Sequence, residues 1–389
     1  MFSQNLLNLG TETAFSVLAR AEELEKAGHS IINLGIGQPD FSTPPHIVEA
    51  GIKALQDGAH GYTSSMGLIQ LREALKENLT KRYGYCPPIS QILITPGGKP
   101  IIFMAAMIYG GTNKEIMLPG PSFPIYQSAI EYSGAKPIFY QLDENKKFSF
   151  DADEILSKIT NSTSMIIINS PHNPTGAVTP ASEIKKLVHG LIGFPKITLL
   201  SDEIYDQLVF DNPPHSLLSY PEIRDRLIIL NGWSKTYAMT GWRIGYGIWP
   251  KESIEFANKI GVNYHSCVNA PTQYAALAAI TGEQNCVETM RVAFKRRAKL
   301  ISKNLNEIEG INCQPPGGAF YAFPNISSLQ LSSHKIQIEL LEKYGVATLA
   351  GTAFGSSGGE GYLRLSSANS DDLINEACDR LKQFAFSRI

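Results

Sequence analysis

The stretch Asn231-Gly-Trp-Ser-Lys235-Thr-Tyr-Ala-Met-Thr-Gly-Trp-Arg243 sets a lysine just past an apolar run and an arginine eight residues later. A lysine there can reach into a cleft, and burial beside other cations lowers its pKa towards the partly neutral amine that attack on an aldehyde requires. An isolated lysine of this kind is more often a surface residue, so its company matters. Upstream, Ile197-Thr-Leu-Leu-Ser-Asp202-Glu-Ile-Tyr205 ends an apolar run on a carboxylate that is costly to bury unpaired. A pyridinium nitrogen would pair with Asp202 and stay protonated beside it as an electron sink, while a helix N-cap is the plainer reading. Asn173, in Ser170-Pro-His-Asn173-Pro-Thr-Gly176, could donate its amide to a phenolate oxygen or serve turn geometry alone. Finally, Ile94-Thr-Pro-Gly97-Gly98-Lys99-Pro100 ends another run and opens a helix to about Tyr109. Its small residues let backbone N–H groups approach a phosphate at the helix N-terminus, and Pro100 is tolerated in the first turn.

These residues must be positioned by strands. Short β-branched runs alternate with segments of helical period, the pattern of βαβ units and a largely parallel sheet buried on both faces. The runs are Gln91 to Thr95, Glu115 to Leu118, Lys136 to Tyr140, Met165 to Asn169, Ile197 to Ser201, Leu227 to Asn231 and Ile244 to Ile248. They predict an α/β fold, a three-layer α/β/α large domain with a mostly parallel seven-stranded sheet, over residues 48–285. Residues 286–389 read as a smaller α+β domain, with a long helix over Val287 to Ile308, strands at Gly318 to Phe323 and Gly361 to Leu365, and a helix over Asp371 to Phe384. Residues 1–47 form an N-terminal segment whose helix, Thr13 to Ala27 ended by Gly28, is expected to pack with the C-terminal part.

Composition narrows the function. The chain has 389 residues, 43% hydrophobic, enough for a sizeable core, and a formal net charge of -2 that gives no basic excess for a nucleic-acid backbone or an anionic membrane. The five cysteines are scattered and form no Cys-x-x-Cys pair, which disfavours a disulfide framework or structural zinc and suits a reducing, cytoplasmic setting. No apolar stretch approaches the roughly 20 residues of a membrane span. A Gly-x-Gly-x-x-Gly between strand and helix is missing, which argues against a dinucleotide-binding dehydrogenase.

Nine ordered motifs carry a resemblance over nearly the whole chain: Gly35-Ile-Gly37-Gln-Pro39-Asp40-Phe41, Gly61-Tyr62-Thr63, Gly97-Gly98-Lys99, Pro121-Ser-Phe123-Pro124, Asn173-Pro-Thr-Gly176, Ser201-Asp202-Glu203-Ile204-Tyr205, Ser234-Lys235-Thr236, Gly241-Trp242-Arg243-Ile244-Gly245-Tyr246 and Leu363-Arg364-Leu365-Ser366. The chain resembles class I and II aminotransferases of pyridoxal-phosphate fold type I, near the bacterial aspartate aminotransferase branch. The resemblance implies pyridoxal 5'-phosphate as cofactor, Lys235 as its Schiff-base and proton-transferring lysine, and Asp202 as partner of the ring nitrogen. It further implies Tyr205 and Asn173 at the ring hydroxyl, Phe123 on the ring face, and Arg243 with the N–H groups of Gly98 and Lys99 at the phosphate. Arg364 would clamp the substrate α-carboxylate with help from the backbone at Gly37. Tyr62 would reach the phosphate of a neighbouring subunit, making a homodimer the expected assembly. The implied reaction moves an amino group from an L-amino acid to a 2-oxo acid, with aspartate and 2-oxoglutarate leading and aromatic or alanine donors open.

Three departures bear on this. Many relatives place a phosphate-binding serine where this chain has Gly232, so Ser234 or Lys99 is expected to compensate. No arginine lies between Val262 and Pro271 to read a distal carboxylate, and the helix after Lys99 offers Phe103, Met104 and Met107, so apolar side chains could be tolerated. Ile36 and Gly351 to Gly355 are candidate lid elements. A lyase or synthase of the same fold is the nearest rival; a non-catalytic ligand-binding relative is disfavoured, because the motifs begin by Gly35 and leave no room for a DNA-binding module.

Overall fold

The structure is a computed structural model that describes residues 4–7, 9–211 and 215–388. Seven strands form the main sheet: β1 (Ile92–Thr95), β2 (Glu115–Gly120), β3 (Lys136–Gln141), β4 (Thr163–Asn169), β5 (Thr198–Asp202), β6 (Leu227–Gly232) and β7 (Gly245–Ile248). They lie in the order β1-β7-β6-β5-β4-β2-β3. All neighbours are parallel except β7, which runs antiparallel to both β1 and β6. The seven strands are those the alternation predicts, with ends shifted by one or two residues.

Both faces are covered, and the period of two shows how. Ile166, Ile168, Leu199 and Ile229 pack with the helices Pro45–Gln56, Ile69–Tyr83, Ala181–Leu191 and Ala270–Thr281. Their strand neighbours Met165, Ile167, Leu200, Ile228 and Leu230 pack instead with Lys99–Tyr109, Pro124–Tyr132 and Ile254–His265. Alternate side chains thus feed two apolar layers, which is why the central strands read as unbroken apolar runs.

A separate core forms from Ile301 and Leu305 of the helix Asn285–Asn306, Ile336 and Leu340 of Ser333–Tyr344, and Ile374, Leu381 and Phe384 of Asp371–Phe386. It includes a three-stranded antiparallel sheet, Leu349–Ala350, Leu363–Ser366 and Tyr321–Ala322, in that order. The last is shorter than the sequence predicts, because Gly318 makes an isolated bridge to Val209 rather than extending it. Ile32–Asn33 pairs in parallel with Val346–Ala347. The helix Ala14–Lys26 lays Val17, Ala21 and Leu24 against Leu341, Ala347 and Leu349, and Arg20 donates to Glu342 at 2.8 Å.

The topology gathers the chemistry at one edge. Asn169, Asp202 and Gly232 end β4, β5 and β6, where ligands of open α/β sheets bind. Because β7 is antiparallel, it begins where its neighbours end, and Thr95 of β1 pairs with Gly245 there. Arg243, two residues before β7, and the glycine pair after β1 therefore reach the same edge.

Candidate active site

At this edge lies a cavity of about 450 Å³. Lys235, Asp202, Tyr205, Asn173, Phe123, Ser234, Arg243, Gly98, Lys99, Gly37 and Arg364 all line it. Tyr62 does not, and the residue is 92% exposed.

The amine of Lys235 opens on the cavity and donates to the Gly37 carbonyl at 2.6 Å. Burial pushes its pKa down to about 8, and the guanidinium groups of Arg364 and Arg243 push the same way. About a tenth of the amine is then neutral at neutral pH, far more than for an unperturbed lysine. Gly37 must be glycine: a Cβ there would sit 2.4 Å from the Tyr321 hydroxyl.

Asp202 is buried at the end of β5. Its Oδ2 accepts from the Tyr126 hydroxyl at 2.6 Å and its Oδ1 from the Ile204 N–H at 3.1 Å. Burial pushes its pKa up to about 6, against the pull of these hydrogen bonds and of Lys235. The N-cap reading is half right, since one oxygen caps a turn, but neither partner is a cation. Asn169 donates to the Asp202 carbonyl at 3.0 Å and accepts from the Asn173 N–H at 2.9 Å, tying the Asn173 loop to β5.

Arg364 is buried between the rings of Tyr321 and Phe354, 4.5 and 4.8 Å from their centroids. It donates to Asn173 Oδ1 at 3.1 Å and to the Gly35 carbonyl at 2.5 Å, and its Nε has no partner among the described residues. Burial lowers its pKa. A buried guanidinium held by neutral acceptors is set to receive a carboxylate.

At the other end, Gly97 takes a left-handed φ of 85°, and a Cβ there would lie 2.3 Å from Arg243 Nη2. Glycine thus lets the guanidinium sit against the backbone that opens the helix Lys99–Tyr109, whose first-turn N–H groups have no helical partner. Gly232 has a packing reason: a Cβ there would meet Gly245 Cα across the strand pair at 2.9 Å. The helix Lys99–Tyr109 shows Ile102 to the cavity, whereas Met104 is buried in the core, Phe103 packs against it and Met107 is exposed. Ile36 lines the cavity; Phe354 of the other lid candidate does not, and its ring lies against Arg364.

The profile described as Aminotransferase class I and II matches residues 29–381. The chain belongs to the class I and II aminotransferases. An aspartate aminotransferase of Sulfurisphaera tokodaii is 36% identical over 98% of this chain and 97% of its own. Aromatic-amino-acid aminotransferase 2 of Thermococcus litoralis is 36% identical over 95% of each. The crystal structure of the aspartate aminotransferase from Rhizobium meliloti superposes with a TM-score of 0.93 at 30% identity, covering 100% of this chain and 99% of that one. This aminotransferase therefore uses pyridoxal phosphate, and its cavity fits the group. A buried carboxylate lacks a cation, a depressed lysine faces the same space, and a helix opening with an adjacent arginine stands ready for a phosphate.

Sequence reasoning missed Tyr126 and Tyr321. Tyr126 lies three residues after Phe123, a spacing that puts both on one face of the first helical turn, and their rings meet edge to face at 5.7 Å. Tyr321, whose hydroxyl is 2.7 Å from that of Tyr205, had no local signal beyond its place in a short strand.

Proposed function

We propose that this aminotransferase accepts both a dicarboxylic and a neutral or aromatic L-amino acid, with 2-oxoglutarate as acceptor and aspartate the leading donor. The observation that carries the reading is a buried, carboxylate-ready Arg364 sharing one cavity with a lysine whose pKa falls to about 8. Relatives named for aspartate and for aromatic amino acids point to both substrate classes, as does a cavity lining that combines Lys99 with Phe15, Ile36, Ile102 and Phe123.

In this reading Asp202 holds a proton at the cofactor's ring nitrogen, and Tyr126 holds Asp202. Asn173 spends its carbonyl on Arg364, which leaves its N–H2 to donate to the ring hydroxyl beside Tyr205. Phe123 covers the ring, and Ser234, Arg243 and the N–H groups of Gly98 and Lys99 bind the phosphate. When bound, pyridoxal phosphate supplies an aldehyde for the amino group and a ring that spreads the electron pair left at the α-carbon. Arg364 fixes the α-carboxylate, and neutral Lys235 Nζ takes the α-proton and later returns it, a transfer worth roughly 10²–10⁴-fold.

The reading includes a homodimer in which Tyr62 of the partner subunit completes the phosphate site. Tyr62 projects from its own chain, and Ile52, Leu55, Met107, Phe256 and Tyr264 are exposed apolar side chains that an interface would cover.

The test supplies ¹⁵N-labelled aspartate, alanine or phenylalanine with 2-oxoglutarate. Labelled glutamate supports transamination and ranks the donors. Labelled ammonia in place of glutamate would move the enzyme to the lyases.

A further inference from the structure

The segment leading into the helix Ala14–Lys26 crosses the mouth of the cavity. The Gly10 carbonyl accepts from Ser128 Oγ at 3.2 Å, and Glu12, Ala14 and Phe15 line the cavity itself. Glu12 Oε1 lies 2.5 Å from Lys99 Nζ, with the carboxylate side chain 14% exposed and the lysine 41%. The contact is an ion pair by distance, yet its angles make no hydrogen bond, and Oε1 has no other hydrogen-bond partner among the described residues. The Lys99 ammonium also stands 5.6 Å from the Phe15 ring and 5.9 Å from the Phe123 ring.

An acid inside an anion-binding pocket opposes its ligands. With Arg364 taking the α-carboxylate and Arg243 the phosphate, Lys99 is the lining cation left for a second carboxylate, and Glu12 already holds it. We propose that Glu12 is a specificity-determining residue. A substrate with a neutral side chain binds with the Glu12–Lys99 pair intact beneath Phe15, whereas a dicarboxylate must take Lys99 from Glu12 and displace the segment that carries it. Like charges brought together are costly, and because no hydrogen bond fixes the pair and the Lys99 side chain is 41% exposed, its ammonium is free to exchange Glu12 for an incoming carboxylate. The inference rests on the substrate reading above and names the residue that sets the balance between its two substrate classes.

The test needs no turnover. Holoenzyme is titrated calorimetrically with maleate, an unreactive dicarboxylate, and with hydrocinnamate, an unreactive aromatic monocarboxylate. In Glu12→Gln, maleate should bind about tenfold tighter, because a near-neighbour repulsion is removed, while hydrocinnamate stays within about twofold. Adding Lys99→Met should cancel the maleate gain. Hydrogen exchange over residues 9–15 should quicken with maleate and not with hydrocinnamate. Maleate affinity that is unchanged or weaker in Glu12→Gln overturns the proposal, as does an equal shift for both ligands. If neither ligand binds any variant, the substrate pocket itself is wrongly placed and this inference falls with it; if both bind but no amino acid transaminates, the reaction reading fails while the binding comparison still decides the role of Glu12.

Discussion

Replacing Asp202 with asparagine keeps the size of the side chain and an acceptor for Tyr126, and removes the charge that burial penalises. Burial raises the pKa from 3.8 to about 6, so the folded apoprotein keeps a proton that the unfolded chain releases between those values. The stability linked to that proton is complete below the lower value and lost as pH rises through the upper. Beyond it, the ionised carboxylate is a fixed penalty of about 3 kcal/mol, from about 2 pK units at about 1.36 kcal/mol each. At about pH 4.5 only about 1 kcal/mol of the penalty has developed. Cofactor-free Asp202→Asn should therefore gain on wild type by about 2 kcal/mol more at about pH 7.5 than at about pH 4.5. Urea unfolding followed by the fluorescence of buried Trp233 and Trp249 reads this directly. The same variant should lose at least about 100-fold in transamination, since the proposed partner of the ring nitrogen is gone. A stability gap that stays constant or narrows with rising pH would refute the reasoning, because the acid would then not be strained in the fold.

Other outcomes follow from the same geometry. Capture of pyridoxal phosphate by wild-type apoprotein should quicken about tenfold per pH unit up to about pH 8 and then level off, as burial and the cations beside Lys235 set its neutral fraction; a pH-independent stopped-flow rate would contradict this. Arg364→Lys should lower kcat/KM about 100-fold for amino donors and 2-oxo acids alike, because an ammonium cannot make the two parallel bonds of a guanidinium; a loss limited to one side of the reaction would place the α-carboxylate elsewhere. Gly232→Ser should cost about 1–3 kcal/mol of stability in urea unfolding, since its Cβ has no room beside Gly245; an unchanged midpoint would show that the strand pair opens freely.

The fold was legible because it rests on local periodicity. All seven strands alternate or run apolar between turn residues, and the topology adds only their order, including the antiparallel β7 that brings Arg243 beside Gly97. The cavity residues were legible where a motif surrounds them, as at Lys235, Asp202 and Asn173. Tyr321 and Glu12 were not. Each meets its partner only across a long stretch of chain, Tyr321 with Tyr205 and Glu12 with Lys99, and sits in a short strand or a pre-helical turn without chemical company. Gly232 was read as a lost phosphate contact, and the strand pairing adds a packing reason for the glycine, its close neighbour Gly245. That constraint appears only when β6 and β7 are paired.

The central claim is that Lys235, and not the second lysine of the cavity, carries the cofactor. Hydride reduction of the holoenzyme followed by peptide mass mapping tests it without any assay of turnover. The account predicts the reduced cofactor's mass on the peptide containing Lys235 in wild type and its disappearance in Lys235→Ala; the same mass on the Lys99 peptide, or retained in the variant, would contradict it.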